Sequence, residues 1–423
     1  MNHRRILTFL AAIMLVAGKS HAVGESSVIT LVFPVGAENC GLGESGVSLA
    51  ENVYSVFWNP ASLPAIGEHN EVQFIRSTFY ETLFPAFKIP DLWHADTVTA
   101  LFLSDILGVI DLGFARHTNF INFGTIELTD MDGDSVATTK SSEMVKTYAA
   151  GIRFWDMVSV GLAVKDVDSR LAPGYGTGDE GTAQAQVLDF GLRIEKELSL
   201  YGILDLHPAV GFAIHSFPQD SISYTRNAEG ADPLPLQRWY GGSIGLSILG
   251  LLGFTYVQER EYSVVSREYI EHRGCQINIT PFFSVLRGEM DDPDGFRWER
   301  TEGTVTRFNF QKTLDIAIRC MSLFDTQAAE KIKGINRFFD RYHLRPNLFV
   351  ESVESEIYER EGGSPARRGQ WRDETTFGIS ILGDIDFFPK KKMMKDRTPK
   401  QQPSTDETSS TEIIEKDTDE VVE

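Results

Sequence analysis

The chain has 423 residues and a formal net charge of −20, with 40 Lys and Arg against 60 Asp and Glu. This acidic balance makes nucleic acid a poor partner, because phosphate binding depends on clustered positive charge. Three cysteines are too few for the disulfide framework of a small secreted domain. Hydrophobic patterning along the chain therefore has to indicate the fold and the function.

The N-terminus has the three parts of a secretory signal peptide. Arg4 and Arg5 precede an apolar run over residues 6–18, and small residues lead to a cleavage site after Ala22. This run of about 13 residues is too short for a transmembrane anchor, which needs roughly 20. We predict a signal peptide over residues 1–22 and export of the mature chain.

A glycine-rich segment, residues 23–69, separates the signal peptide from the first predicted strand. Its glycines permit close approach of the backbone to other groups, and Asn59 is held extended by the proline that follows it. We interpret this segment as a compact hatch and not as a lipid-facing strand. The hatch motif comprises Gly41, Gly43, Gly46, Trp58, Asn59, Pro60 and Ala61.

Residues 70–388 repeat an alternation of apolar and polar side chains with a period of two, which is typical of strands. In the segment 158–167, Val160 and Leu162 alternate with Gly161 and Ala163. One set is rich in Gly, Ser and Ala, which suits a narrow lumen, and the other is broad and apolar, which suits lipid. A soluble β-sandwich is the alternative, and it would carry more Lys, Glu and Thr on its polar face.

The alternating segments give an even number of strands, as expected for a bacterial outer-membrane barrel. The predicted fold is all-β, a 14-stranded antiparallel transmembrane β-barrel with the hatch inside its lumen. The segment 304–322 is taken as one long strand because its apolar residues keep one parity. The predicted strands are 71–79, 96–103, 109–118, 145–154, 158–167, 186–195, 207–217, 238–248, 251–261, 272–280, 282–289, 304–322, 345–359 and 374–388.

The connections between the predicted strands sort into short links at one end and long polar loops at the other. The exception is 323–344, where Ile332, Ile335 and Phe338 lie on one face of a predicted amphipathic helix. The tail over 389–423 is almost free of apolar residues and is predicted to be disordered. The long polar loops are predicted at 119–144, 168–185, 218–237, 290–303 and 360–373.

The hatch sequence resembles the N-terminal signature of the PorV/PorQ family, which is related to the long-chain fatty acid transporter FadL. A Gly-rich run, a small-residue helix and the aromatic-Asn-Pro-Ala motif carry the resemblance, with Asn52 where Asp is common and Ser62 where Gly is common. The resemblance implies a 14-stranded barrel with an inward-folded hatch. In FadL-like proteins the hatch gates hydrophobic solutes, whereas PorV serves as a shuttle in type IX secretion.

Two functions follow as expectations, both non-enzymatic, without a cofactor and in contact with outer-membrane lipid. The first is a secretion-associated, type IX-like scaffold or shuttle that binds secretion-machinery proteins or exported proteins. The alternative is an outer-membrane conduit for hydrophobic small molecules such as fatty acids. An apolar lumen behind the hatch would favour the conduit, and a packed polar lumen with a large structured outer surface would favour the scaffold.

Charged residues on the inward parity are expected to pair with one another or to be hydrated. Asp130, Asp132 and Asp134 resemble a Ca²⁺ loop, but Gly133 stands at its fourth position and not at its sixth, so a solvated acidic turn is the default interpretation. No Ser-His spacing singles out a catalytic triad. The predicted lumen charges are Asp111, Arg153, Lys165, Asp189, Arg193, Glu195, Asp315 and Arg319.

Overall fold

The computed structural model describes the chain between residues 27 and 382, with gaps. The predicted signal peptide, the tail after 389 and, apart from residues 333–334, which are helical, the predicted helix around 332–339 lie outside the described residues. The described ranges are 27–50, 52–66, 70–79, 93–129, 135–171, 181–201, 203–224, 231–248, 252–265, 267–280, 282–291, 300–309, 313–314, 318, 333–334, 345–361 and 364–382.

The N-terminal part contains only short helices, because its glycines and prolines interrupt every helical run. They are α1 (Ala37–Gly41), α2 (Ser55–Trp58) and α3 (Leu63–Ile66), with 3₁₀ turns at Ile29–Leu31 and Pro60–Ser62. Among the described residues, no helix is both long enough and apolar enough to cross a membrane.

The rest of the described chain is almost entirely β-structure. The strands are β1 (Glu71–Phe79), β2 (Trp93–Ile106), β3 (Ile110–Thr129), β4 (Ser135–Phe154), β5 (Val158–Arg170), β6 (Thr182–Glu195), β7 (Leu198–Leu200), β8 (Leu204–Phe217), β9 (Ser221–Ser223), β10 (Ala231–Pro233), β11 (Gln237–Ile248), β12 (Leu252–Ser263), β13 (Glu268–Thr280), β14 (Phe283–Asp291), β15 (Arg300–Asn309), β16 (Arg345–Glu361) and β17 (Ser364–Leu382).

Fifteen of these strands form one antiparallel sheet. Strands that follow one another in the chain pair from β1 to β6 and from β11 to β17, β6 pairs with β8, β8 pairs with β11, and β17 pairs with β1. Among the described strands, fourteen therefore have a hydrogen-bonded neighbour on both edges, and β7 joins β8 as the fifteenth. The short strands β9 and β10 form a separate two-stranded sheet.

Every predicted strand overlaps a strand of the structure, but several boundaries were wrong. The sheet has fifteen strands, so the predicted count of fourteen is not confirmed; the additional strand is the three-residue β7, which is too short for an alternation pattern to identify. The predicted loops 119–144 and 360–373 are largely strand, since β3 pairs with β4 and β16 with β17 far beyond the alternating residues. Backbone pairing needs no apolar side chain, so alternation shows a strand only where one face is apolar.

The predicted single strand over 304–322 was also wrong. Strand β15 ends at Asn309, and residues 313–314 and 318 are helical. A short apolar run that keeps one parity is compatible with either a strand or a helix, and the parity of Phe308 and Ile318 misled the interpretation. The last predicted strand, 374–388, is β17, which begins ten residues earlier at Ser364.

The sheet is apolar on its outer face and polar on its inner face. In β5, Val160 and Leu162 are exposed whereas Ser159, Gly161 and Ala163 are buried. Large apolar side chains are exposed in the same way on other strands. Examples are Val72, Phe74, Leu101, Phe114, Tyr148, Phe190, Val210, Tyr240, Phe254, Ile277 and Val285.

The apolar part of the outer face ends where a row of polar residues crosses neighbouring strands. On β5, the outward residues from Val158 to Val164, which precede this row, carry no charge and extend roughly 20 Å along the strand at about 3.3 Å per residue. This height is close to the apolar band of about 25 Å on outer-membrane barrels. The polar row consists of residues that lie opposite one another on β3 to β6: Thr118, Lys146, Asp166 and Gln186.

Charge substitution on β5 tests this apolar band. Leu162 is 50% exposed in its middle, and Asp166 lies on the same face just above it. Leu162→Arg should reduce folding into lipid vesicles by about 2–4 kcal/mol, because the charge would lie in hydrocarbon. Asp166→Arg should have little effect and is the matched control. Equal folding yields of the two variants would contradict the band.

Candidate functional site

The described part of the hatch, residues 27–50 and 52–66, is almost completely buried against the inner face of the sheet. Its first described residues lie beside the second half of β3 and the first half of β4, where Thr30 contacts Glu143. It ends near the short turns that join β2 to β3 and β4 to β5, where Leu63 lies over Gly113. The hatch therefore follows the inner face along most of the strand length.

A row of glycines on the inner face receives the hatch turn that the sequence predicted. Gly113, Gly151, Gly161 and Gly191 lie directly opposite one another on the neighbouring strands β3, β4, β5 and β6. A Cβ atom added at Gly161 would lie 2.3 Å from the carbonyl carbon of Pro60. No side chain fits at this distance, so the glycines are what allows the hatch backbone to contact the wall.

Asn59 closes this turn with its side chain. Its backbone is extended, with φ −159° and ψ 103°, as the following proline predicts. Its side-chain Oδ1 accepts a hydrogen bond from Ala61 N at 3.0 Å, and its Nδ2 donates to the carbonyl oxygen of Val47 at 2.7 Å. The Asn-Pro-Ala part of the motif is thus a structural turn that joins two parts of the hatch.

The glycines of the hatch itself contact the opposite part of the sheet. Gly43 has a positive φ of 72°, and a Cβ atom there would lie 2.7 Å from the carbonyl oxygens of Arg273 and Glu289. At Gly46 the indole of Trp58 occupies the corresponding space, 2.4 Å away. Two of the three motif glycines are therefore required by close contacts, one with the wall and one within the hatch.

Side chains of β13 and β15 hold the backbone around Gly43. Thr301 Oγ1 accepts from Gly43 N at 3.1 Å and donates to the carbonyl oxygen of Gly41 at 2.9 Å. The ring Nδ1 of His272 lies 2.8 Å from the carbonyl oxygen of Gly43. The hatch is consequently bound to two separate parts of the inner face. Glycine contacts hold it on β3 to β6, and polar side chains hold it on β13 and β15.

The strongest set of hydrogen bonds to the hatch ends on Glu259, which the sequence analysis did not single out. Gly46 N and Val47 N donate to its Oε2 at 2.8 and 3.0 Å, and Ser48 N and Oγ donate to its Oε1, each at 2.7 Å. Polar residues occupy both faces of β12 around Glu259, so the alternation that identified other inward charges is hidden there.

A second buried carboxylate, Glu143, holds the beginning of the hatch. It accepts from Thr30 N at 3.1 Å and from Thr30 Oγ1 at 2.7 Å, and Ser169 Oγ donates to it at 3.1 Å. Glu143 lay in the predicted loop 119–144, which is why sequence reasoning missed it. Its position on the inward parity of β4 would have been recognisable had the strand been predicted to its full length.

The predicted lumen charges that the structure describes form two groups. In the first, Arg153 lies 2.7 Å from Asp111 and 3.3 Å from Glu195, and Arg193 lies 2.7 Å from Glu195. Arg193 also donates from Nε to the carbonyl oxygen of Ser48 at 2.9 Å. This group therefore joins the three strands β3, β4 and β6 to one another and to the hatch.

The second group is Lys165 with Asp189, whose Nζ and Oδ2 atoms are 2.6 Å apart. His215 Nδ1 lies 3.1 Å from the same oxygen, and Lys165 Nζ lies 5.1 Å from the ring centre of Phe57 in the hatch. Trp239 packs edge-to-face on Trp58, with ring centres 5.6 Å apart. Charges and aromatic rings thus share this part of the hatch interface.

A cavity of about 450 Å³ lies between the hatch and the wall near the short turns. Its hatch side is formed by Ser48, Leu49 and Ala50, and its wall side includes Arg193 and Thr255. A volume of this size is within the range of small-molecule sites, which is about 300–1,000 Å³.

Several candidate residues lie outside the described part of the chain. They include Asp130, Asp132 and Asp134 of the acidic turn, and the lumen charges Asp315 and Arg319. Within the described ranges, no group of three or more His, Cys, Asp or Glu side chains is arranged to hold a metal ion. Cys40 is buried and Cys275 is partly exposed, and neither is in a disulfide.

Comparison with known proteins gives low similarities. No protein-family model matches the chain, and no curated protein matches its sequence. The toluene transporter TbuX of Ralstonia pickettii is 10% identical, with 84% of this chain and 99% of that chain aligned at a TM-score of 0.43. The toluene transporter TodX of Pseudomonas putida is 12% identical, with 83% and 98% aligned at a TM-score of 0.39.

A FadL homologue of Pseudomonas aeruginosa is 9% identical, with 82% of this chain and 98% of that chain aligned at a TM-score of 0.34. At these identities and TM-scores the similarities do not establish a family or a function. They also give no support to the narrower PorV/PorQ assignment.

Two glycines on the inner face give a matched test of the hatch contact. Gly161→Ala places a methyl group against the Pro60 backbone, whereas a Cβ at Gly245 would have its nearest neighbour at 3.4 Å, an ordinary contact. Gly161→Ala should lower stability by about 1–3 kcal/mol, because overpacking displaces the hatch. The melting temperature in detergent is the measurement. An unchanged melting temperature for Gly161→Ala would mean that Pro60 does not lie on this row.

Proposed function

We propose that this chain is a non-enzymatic outer-membrane protein in which the doubly paired strands close as a 14-stranded transmembrane barrel around the hatch. We propose further that it is a gated conduit for hydrophobic small molecules such as fatty acids. The observation that carries the second proposal is an apolar strip on the inner face of β1 and β2, covered by the hatch.

The membrane location is supported by two properties of the sheet. Its outer face exposes large apolar side chains on most of its strands, which would be unfavourable in water and which lipid would cover. The fourteen strands with two paired edges leave few backbone groups without a partner, as the hydrocarbon region requires. A soluble sandwich has the opposite arrangement, with its apolar faces turned inward.

The apolar strip lies on the inner face of β1 and β2. Ile75, Val98, Ala100 and Phe102 are buried there in one cluster with hatch residues such as Val56. If the hatch moved, these side chains would line the opened passage. An apolar lining lowers the free-energy cost of passage for an apolar molecule, but it does not compensate an ion for the loss of its hydrating water.

The hatch contacts suit a movable plug. Many of its described contacts with the wall are hydrogen bonds and ion pairs, such as those of Thr301, Glu259 and the Glu38–Arg307 pair. Water can replace each of these partners, at a net cost of about 0.5–1.5 kcal/mol for a neutral hydrogen bond and about 1.5–3 kcal/mol for one to a charged group. Opening therefore requires the exchange of several polar contacts and no change in the strand pairing.

The secretion-associated scaffold or shuttle is the second candidate function. The observation that favours it is the hairpin of β3 and β4, which continues to Thr129 and Ser135, well above the polar row at Thr118 and Lys146. Such a projection would present a structured surface outside the membrane. Within the described residues, no contact identifies a protein partner.

A disulfide between hatch and wall tests the conduit. A Cβ added at Gly41 would lie 3.3 Å from Cβ of Leu286, close to the separation of about 3.5–4.5 Å in disulfides. Gly41→Cys and Leu286→Cys are combined in a chain whose native cysteines are replaced by Ser. The variant is expressed in a diderm host that lacks its own fatty acid transporter, and uptake of radiolabelled oleate is measured.

The oxidised double variant should lose uptake to about a tenth or less, because the hatch can no longer move, and reductant should restore it. Each single variant is the control and should not respond to oxidant. Uptake that persists in the oxidised form would contradict gating by the hatch. No uptake by the native chain would overturn the conduit, and co-purification of an exported protein would then favour the scaffold.

A further inference from the structure

Three consecutive backbone N–H groups of the hatch point at one carboxylate. Gly46, Val47 and Ser48 donate these groups to Glu259, and the Ser48 hydroxyl adds a fourth donor. Successive N–H groups that converge in this way form a nest that binds anions. Because the donors are mostly backbone, the nest recognises a carboxylate whatever molecule carries it.

Glu259 is an unusual occupant of such a nest. It is 1% exposed, and within the described residues it forms no ion pair with Lys, Arg or His. A buried carboxylate normally has a cationic partner or several hydrogen bonds. Here all four hydrogen bonds come from the hatch, so the hatch supplies a complete carboxylate site and the wall supplies only the carboxylate.

The nest ends at the 450 Å³ cavity between hatch and wall. Ser48, the last nest residue, and its neighbour Leu49 both line that cavity. Arg193 lines it as well and donates to the carbonyl oxygen of Ser48, which holds the end of the nest in place. A molecule in the cavity would therefore lie beside the hydrogen-bond donors that bind the Glu259 carboxylate in this structure.

We propose that Glu259 is an internal occupant of a carboxylate-binding site in the hatch, and that the same nest binds the carboxylate of a small molecule whose apolar part lies against Leu49, Leu246 and Leu252 in the adjoining cavity. Exchange of one carboxylate for the other would release the hatch from β12 at that point. This inference deepens the proposed function and rests on it for the supply of such a molecule.

Equilibrium binding of dodecanoate to the full chain in lipid nanodiscs tests the site, with dodecanol as the uncharged probe. Glu259→Ala removes the competing carboxylate and should tighten dodecanoate binding by about tenfold or more, since a hydrogen bond to a charged group is worth at least that factor. Dodecanol binding should not change. Adding Ser48→Ala to this variant should remove part of the gain, because one of the four donors is lost.

Glu143→Ala is the matched control, because Glu143 is also a buried carboxylate that accepts hydrogen bonds from the hatch but contacts Thr30 instead of the nest. It should not tighten dodecanoate binding. If Glu259→Ala does not fold, Glu259→Gln replaces it and should give a smaller gain, because the amide nitrogen cannot accept from Gly46 and Val47.

The proposal is overturned if a folded Glu259 variant binds dodecanoate no more tightly than the native chain. It is also overturned if dodecanol or Glu143→Ala shows the same gain, because the effect would then be a general loosening of the hatch. The proposed function fails separately. If the native chain takes up no oleate while Glu259→Ala gains dodecanoate binding, the conduit is ruled out and the carboxylate site in the nest is supported.

Discussion

The close contact between the hatch backbone and glycines of the wall is the constraint on which the rest of the structure depends. Pro60 and Ala61 lie where side chains of β5 and β6 would otherwise project, and Leu42 lies in the same way on Gly274 and Gly288. Backbone contact with two separate parts of the inner face leaves little space between hatch and wall at these contacts. The polar groups of both then have to satisfy each other, which explains the number of hydrogen bonds between them.

The same constraint explains why charged residues face inward while apolar residues face outward. Inward side chains such as Lys165, Asp189 and His215 contact one another and the hatch, so their burial is compensated. Outward side chains such as Leu162 and Phe190 remain exposed. A lipid environment accounts for both observations, because it stabilises the outer face and leaves the polar interior enclosed.

Much of this arrangement could be predicted from the sequence, and the failures have physical causes. Alternation located each long strand because one face of the sheet is apolar over the height of the band. It failed above the band, where β3 and β4 continue with polar residues on both faces, and after β15, where residues 313–314 and 318 are helical. The Asn59 turn was predictable because a proline restricts the residue before it.

The anchoring carboxylates could not be predicted in the same way. Glu143 lies above the band, and Glu259 lies where both faces of β12 are polar, so neither shows an alternation signal. Their partners are backbone N–H groups of the hatch more than 100 positions away. Such a pairing depends on tertiary structure alone, because any residue type could supply the donor.

The central claim is that the outer face contacts lipid while the hatch lies inside, and fluorescence quenching by brominated lipids tests it most directly. One variant retains Trp58 of the hatch as its only tryptophan, and a second carries Phe190→Trp as its only tryptophan. Bromine quenches on contact, so the tryptophan at 190 should be strongly quenched and Trp58 should be almost unaffected. Equal quenching of the two, or stronger quenching of Trp58, would contradict the account.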